Sequence, residues 1–342
     1  MNIKNEISAM EAPVRGLACE TIPVVASSDE NYARHMGVMF VSLLENTSRP
    51  ERIHFFVIDG GIGTQTKENI IKVVESRGGK ISFLEVDKGK YKDYPLTRNM
   101  TPAIYYRLSI PELFSESVAR VIYLDCDLIV KGDISDLWEF PLNGNHVAAV
   151  QDLSNSTYLS SGLPQHKYFN SGVMIIDLSL WRRDGIADKV CDFKLSHPEK
   201  IQTNDQCALN GVLFDSWARL PLRWNVQSGI YRPGRGRLRH FTRDEIDEAL
   251  WNPGIIHYIG GEKPWKYPCF HPLVNEYFRY MDQTVWGGTG IDERKLHAHL
   301  SWCFKPKFLK KYIRQRLWQA RYAKGSNKRD FLQVRKAFDN ND

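Results

Sequence analysis

A chain of 342 residues, 25% of them charged and 42% hydrophobic, has an ordinary globular composition and can bury the core of one large α/β domain or two small ones. Cys19, Cys126, Cys191, Cys207, Cys269 and Cys303 form no C-x-x-C pair and no zinc-finger spacing, which argues against a disulfide framework and against structural zinc. The net charge of +6 is local, because residues 305–329 hold ten Lys or Arg and no Asp or Glu; subtracting those ten leaves −4, which argues against a general nucleic-acid binder.

Residues 1–21 contain no apolar core of signal-peptide length, and the longest apolar patch, "MGVMFVSLL", is too short to span a bilayer. A soluble, unexported, cytoplasmic chain with reduced thiols is expected, with residues 1–21 as an N-terminal extension. The short apolar runs "IPVVASS" (22–28), "IHFFVID" (53–59) and "KISFLEV" (80–86) alternate with helical-looking segments around "NYARHMGVMFVSLLEN" and "TKENIIKVVESRGG". Alternation of this kind predicts right-handed crossovers, a mainly parallel sheet and the α/β class. The first strand runs into neither a G-x-G-x-x-G nor a G-x-x-x-x-G-K-[ST] loop but into "SSDENYA", with Asp29, Asn31 and Tyr32.

After "TPAIYYRLSIPELF" comes "VIYLDCDLIV" (121–130), which reads as one buried strand with two polar positions, Asp125 and Asp127. Strand alternation sets both carboxylates on one face and Leu124 and Cys126 on the other. Two such anions repel unless a cation lies between them, and a divalent metal meets that need. "HVAAVQD" (146–152) and "FNSGVMIID" (169–177) read as further strands, and "LSLWRRDGIADKVCDFKL" and "NDQCALNGVLF" as helices. "IIHYIGGEKPWKY" (255–267) supplies His257, Gly260 and Gly261 for close backbone approach, and Lys263 as a cation for phosphate. Two carboxylates and an imidazole, completed by diphosphate oxygens, suit Mn²⁺ better than Mg²⁺ or zinc. In the tail, Phe308, Leu309, Tyr312, Ile313 and Leu317 fall on one side of a helix, with Lys307, Lys310, Lys311, Arg314 and Arg321 largely on the other. A basic amphipathic helix of this kind suits an anionic membrane surface.

"SSDENYA", "YYRL", "VIYLDCDLIV", "KYFNSGVMIID", "NDQCALNG" and "HYIGGEKPW" occur in that order, and the set resembles the motifs of glycosyltransferase family 8, especially its bacterial lipopolysaccharide-type galactosyl- and glucosyltransferases. The resemblance runs from about residue 22 to about residue 280. It implies a GT-A catalytic domain over 22–280, a basic C-terminal region over 281–342, a UDP-galactose or UDP-glucose donor, Mn²⁺, and retention at the anomeric carbon. Asp29, Asn31 and Tyr32 match the residues that hold uracil and ribose. Arg107 matches an arginine near the donor, and Asp152, Asn170, Asp205 and Gln206 match residues around the donor sugar. Asp125, Asp127 and His257 match the metal ligands, and Gly260 and Lys263 the diphosphate contacts. Because Gln206 is a poor nucleophile, same-face attack is favoured, with Gln206 steadying the oxocarbenium-like carbon and Asp205 as the alternative nucleophile. The expected acceptor is a lipopolysaccharide core or another cell-envelope glycan, met by an enzyme held peripherally at the inner face of the membrane.

Two rival readings are weaker. "LDCDLIV" also resembles the nucleophile strand of haloacid-dehalogenase phosphatases, but that fold places the strand first, and here three strands precede it. A non-catalytic sugar-nucleotide-binding protein would be expected to have lost a metal ligand, and none is missing.

Overall fold

The structure is a computed structural model that describes residues 14, 17–18, 20–91, 102–154, 157–231, 236–266 and 269–288, with 309, 310, 312, 313, 316 and 317 of the tail. Most of the expected N-terminal extension and of the basic C-terminal region lies outside the described residues. Among the described residues, ten strands form two sheets. They are β1 (Ile22–Ser28), β2 (Ile53–Asp59), β3 (Lys80–Leu84), β4 (Arg120–Leu124), β5 (Leu128–Val130), β6 (Val147–Gln151), β7 (Phe169–Asp177), β8 (Trp217–Arg219), β9 (Val226–Gln227) and β10 (Ile255–His257). The large sheet has the order β3-β2-β1-β4-β7-β6-β8. Its pairings are parallel except at β7, which runs antiparallel to both β4 and β6. The fold is thus the expected α/β, mainly parallel one.

The central strands read as continuous apolar runs because helices cover both faces. Their alternation splits the core in two: Val24, Phe55, Val57 and Ile122 pack on one face, and Val25, Phe56, Ile58 and Tyr123 on the other. The helix Glu30–Asn46 crosses from β1 to β2, capped by the Asp29 carboxylate, which accepts the Tyr32 N–H at 3.1 Å. Its Phe40 stacks on Phe55 of β2 at 3.9 Å between ring centroids, a burial that contributes on the order of 2 kcal/mol. Its Val38 and Val41 pack instead with Tyr277 and Met281 of the helix Val274–Met281. The helix is therefore buried on two sides, and its N-terminus is fixed at the end of β1.

Two segments differ from expectation. "VIYLDCDLIV" is not one strand. β4 ends at Leu124, where the Asp125 N–H donates to the Gly172 carbonyl of β7 at 2.9 Å, and Leu128–Val130 then joins a second sheet of order β5-β10-β9. There β5 runs antiparallel to β10, with Leu128 opposite His257. Both apolar halves of the run are buried in this way, and the two aspartates lie in the turn between the sheets. The segment "LSLWRRDGIADKVCDFKL" forms two helices, Leu178–Arg183 and Ile186–Ser196, broken at Gly185, whose φ of +58° is the left-handed conformation that glycine adopts without strain. Among the described residues no helix is long and apolar enough to cross a membrane.

Candidate active site

The sheet switch gathers three ligand-type groups outside the carboxyl end of β4. Asp125, Asp127 and His257 each offer an atom, and these atoms lie within 4.8 Å of one another. His257 Nε2 is 3.2 Å from Asp127 Oδ1 and 3.9 Å from Asp125 Oδ2. Gly172 of β7 lets the His257 ring and the Asp125 carboxylate pack directly against its backbone. A Cβ there would stand 2.3 Å from His257 Cε1 and 2.7 Å from Asp125 Oδ2, far inside contact distance. Two oxygens and one imidazole nitrogen converging over a floor without a side chain fit a divalent cation of borderline hardness.

An amide network braces the cluster. The Gly172 N–H donates to Asn170 Oδ1 at 3.1 Å, and Asn225 Nδ2 donates to the same oxygen at 2.8 Å. Asn225 Oδ1 lies 2.9 Å from His257 Nδ1. In the other direction, Asn170 Nδ2 donates to Asp152 Oδ2 at 3.2 Å and to Gln206 Oε1 at 3.1 Å, and Gln206 Nε2 reaches Asp152 Oδ2 at 3.1 Å. Asp205 and Gln206 open the helix Asn204–Leu213 behind Asn204, whose φ of +35° is a left-handed backbone that asparagine tolerates.

Arg107, buried, ties this side together. It donates through Nη2 to Asp125 Oδ1 at 2.8 Å and through Nη1 to the Ser171 carbonyl at 2.9 Å, pairs through Nε with Asp205 Oδ2 at 3.0 Å, and lies over the Tyr123 ring at 4.2 Å. Burial pushes the Asp205 carboxyl up, while Arg107 beside it pulls it down and Asp125 adds to the rise. Burial also works against ionisation of Asp127, but the Lys263 ammonium and, when its ring is charged, His257 hold that carboxyl well below the usual carboxylate range. Lys263, buried, donates to Asp127 Oδ2 and, at 2.6 Å, to the Tyr258 carbonyl.

The loop after β10 passes over the N-terminus of the first helix. Gly260 has φ +82°, and a Cβ at Gly260 or Gly261 would meet nothing within 4 Å, so this backbone stands open to a ligand. Trp265 stacks on His35 at 3.5 Å between centroids and meets the Tyr32 ring edge-on at 6.0 Å. Burial, with Asp127 next in effect, pushes the Tyr32 hydroxyl up to about 12, so it stays protonated and able to donate. Asp29 Oδ1 is taken by the helix cap and Oδ2 by Asn31 Nδ2 at 3.3 Å, which leaves each oxygen one further lone pair.

Of the residues singled out in the sequence, Arg107, Asp125, Asp127, Asp152, Asn170, Asp205, Gln206, His257 and Lys263 are joined by these hydrogen bonds and close polar contacts, with Asn225 as the link. Asp29, Asn31 and Tyr32 stand together at the start of the first helix, and Gly260 lies in the loop after β10. Three more went unread in the sequence: Gly172, Asn225 and Trp265. For Gly172 a signal existed, since a glycine inside a strand marks close approach of something to the backbone. Asn225 sits in the short turn Leu222–Asn225, and nothing in its neighbourhood points to a histidine 32 residues away.

Comparison with known proteins agrees with this geometry. The profile described as "Glycosyl transferase family 8" matches residues 23–269. General stress protein A of Bacillus subtilis (strain 168) is 41% identical over 276 residues, covering 79% of this chain and 96% of the relative. A lipopolysaccharide 1,2-glucosyltransferase of Escherichia coli (strain K12) is 28% identical over 293 residues, covering 82% of this chain and 86% of its own. Among solved structures, the galactosyltransferase LgtC in complex with donor and acceptor sugar analogues superposes with a TM-score of 0.69 at 25% identity, covering 80% of this chain and 99% of LgtC.

Proposed function

The chain belongs to glycosyltransferase family 8, with a GT-A fold, and from that membership we propose that it is a retaining, Mn²⁺-dependent hexosyltransferase that moves galactose or glucose from a UDP-sugar to a glycan acceptor. The observation that carries this reading is the convergence of Asp125, Asp127 and His257 beside the Asp152–Asn170–Gln206 network. Manganese held by the first three residues would supply Lewis-acid stabilisation of the negative charge that develops on the departing diphosphate. Lys263 and the open backbone at Gly260 and Gly261 line the same departure route and take the phosphate oxygens. Asp29, Asn31 and Tyr32 receive the uracil and ribose, with Trp265 backing the Tyr32 ring. Asp152, Asn170 and Gln206 present paired donors and acceptors to the sugar hydroxyls. Asp205 is engaged with Arg107, which supports the Gln206 amide as the group facing the anomeric carbon during same-face attack.

The glucosyltransferase of Escherichia coli and the galactosyltransferase LgtC support a hexose donor and a glycan acceptor of the cell envelope, such as a lipopolysaccharide core. Attachment to the cytoplasmic face of the membrane is proposed for the basic tail. There Leu309, Ile313 and Leu317 are helical and 46%, 50% and 43% exposed, an unburied apolar stripe beside the exposed Lys310 and Arg316. Each basic residue engaged with an anionic surface contributes about 1 kcal/mol. A panel of UDP-sugars assayed for UDP release with and without Mn²⁺ tests the catalytic reading. Release from UDP-galactose or UDP-glucose that stops in EDTA is expected, and EDTA-insensitive release would remove the metal from the mechanism. Truncation after residue 303 should free the protein from anionic vesicles; a full-length chain that does not sediment with them at low salt would refute the membrane role.

A further inference from the structure

We propose that Asn225 is a positioning residue that fixes the tautomer of His257 and so turns the Nε2 lone pair toward the two aspartates; the inference rests on the metal reading of that cluster. A backbone N–H has its polarity fixed by the peptide bond and can only donate. Gly172 N–H donates to one side-chain atom of Asn170, at 3.1 Å, so that atom is the oxygen. The Asn225 atom 2.8 Å from this oxygen is then the NH₂ group. The opposite end of the Asn225 amide, 2.9 Å from His257 Nδ1, is by elimination its carbonyl oxygen. A carbonyl only accepts, so Nδ1 carries the hydrogen. In the neutral imidazole Nε2 then has none, and its lone pair faces Asp127 Oδ1 at 3.2 Å and Asp125 Oδ2 at 3.9 Å.

Three electron pairs pointed at one small volume repel one another in the absence of a cation and bind one when it arrives. A hydrogen bond from the remote ring nitrogen raises the ligand strength of the near one and holds the ring plane. Asn225 is buried, so no solvent molecule replaces its carbonyl if it is removed. The same amide joins two functions of the crevice. Its NH₂ group holds Asn170, which meets Asp152 and Gln206, while its carbonyl holds the histidine. Replacing the amide by an isosteric carboxylate separates the two, because Asn225→Asp keeps an acceptor for Nδ1–H but loses the donor to Asn170. Asn225→Leu loses both.

The test combines two readouts. Mn²⁺ binding is measured by electron paramagnetic resonance of the free ion in titrations of wild type, Asn225→Leu and Asn225→Asp. The His257 tautomer is read in metal-free wild-type protein at pH 8 by long-range ¹H–¹⁵N correlation, with the resonance assigned by its loss in His257→Ala. The expected results are an Nδ1–H tautomer in wild type, about 10- to 100-fold weaker Mn²⁺ binding in Asn225→Leu, and binding within about threefold of wild type in Asn225→Asp. Asn225→Asp should still show a raised KM for the sugar nucleotide, since its connection to Asn170 is broken. An Nε2–H tautomer in wild type, unchanged Mn²⁺ affinity in Asn225→Leu, or equal loss in both variants would overturn the proposal. Should Asn225→Leu fail to fold, the wild-type tautomer and the Asn225→Asp titration decide the matter. Wild type that binds no Mn²⁺ refutes the metal reading instead, and the tautomer measurement still judges Asn225.

Discussion

Gly172→Ala adds one methyl group to the floor of the proposed metal site. The new carbon would lie 2.3 Å from His257 Cε1, 3.1 Å from Nδ1 and 2.7 Å from Asp125 Oδ2. Carbon–carbon contact is comfortable at about 3.5–4.0 Å, so the ring or the strand must move by more than about 1 Å. The backbone of Gly172 is not left-handed, so alanine brings no conformational strain of its own, and the effect is steric. The ring is tethered through Nδ1 to Asn225, and Asp125 through Oδ1 to Arg107, so neither yields freely. Overpacking of a filled site costs about 1–3 kcal/mol. The clash exists with or without metal and should appear first as a lowered Tm. Bringing Nε2 back into reach of the carboxylates costs a similar amount again, which weakens Mn²⁺ binding by about 5- to 150-fold. Thermal unfolding and the free-ion titration together check both parts. Wild-type Mn²⁺ affinity and turnover in Gly172→Ala would refute the reasoning, since the seating of His257 and Asp125 against the glycine would then not matter to the metal.

Gln206→Ala should lower kcat more than it raises KM for the UDP-sugar, because a contact that strengthens at the oxocarbenium-like stage is lost there most; trapping a sugar ester on Asp205 would replace same-face attack by a covalent route. Lys263→Met removes the cation that holds Asp127, so Mn²⁺ affinity without nucleotide should not fall while KM for the donor rises on the order of tenfold. A steady-state assay beside the metal titration decides this, and unchanged donor KM would exclude Lys263 as a phosphate contact. His35 gives a pH prediction. Burial first, and Arg34 second, lower its pKa to about 3, below the ordinary value of 6.5. Between those values the unfolded chain binds the proton and the folded one does not, so stability present above pH 6.5 is lost as pH falls toward 3, by at most about 1.4 kcal/mol per unit. Denaturant melts of wild type and His35→Gln across that range should show a shallower slope in the variant; equal slopes would show that His35 does not drive the loss.

Strand boundaries at Ile22–Ser28, Ile53–Asp59 and Phe169–Asp177 were legible because a strand covered on both faces is apolar at nearly every position and ends where polar residues begin. The same signal misled at 121–130. An apolar run interrupted by two aspartates looks like one strand with a functional face, and nothing local says that its halves hydrogen-bond to different sheets. The proximity inferred still holds, because a turn between sheets brings the two aspartates together as well as strand alternation would. What fixes them there is non-local: β7 stops the first half at Gly172, and β10 receives the second half and delivers His257. Motifs pointed to the residues proposed to meet ligand and not to those that hold them. Asn225 makes no local pattern, since an asparagine in a turn is commonplace and its meaning comes from a histidine and a second asparagine brought to it by folding. The groups proposed to hold metal and phosphate are carboxylates, an imidazole and an amine, and so announce themselves by type. The groups that orient them need only one lone pair or one N–H in the right place, and many residue types supply that, so their roles become readable only once distances are known.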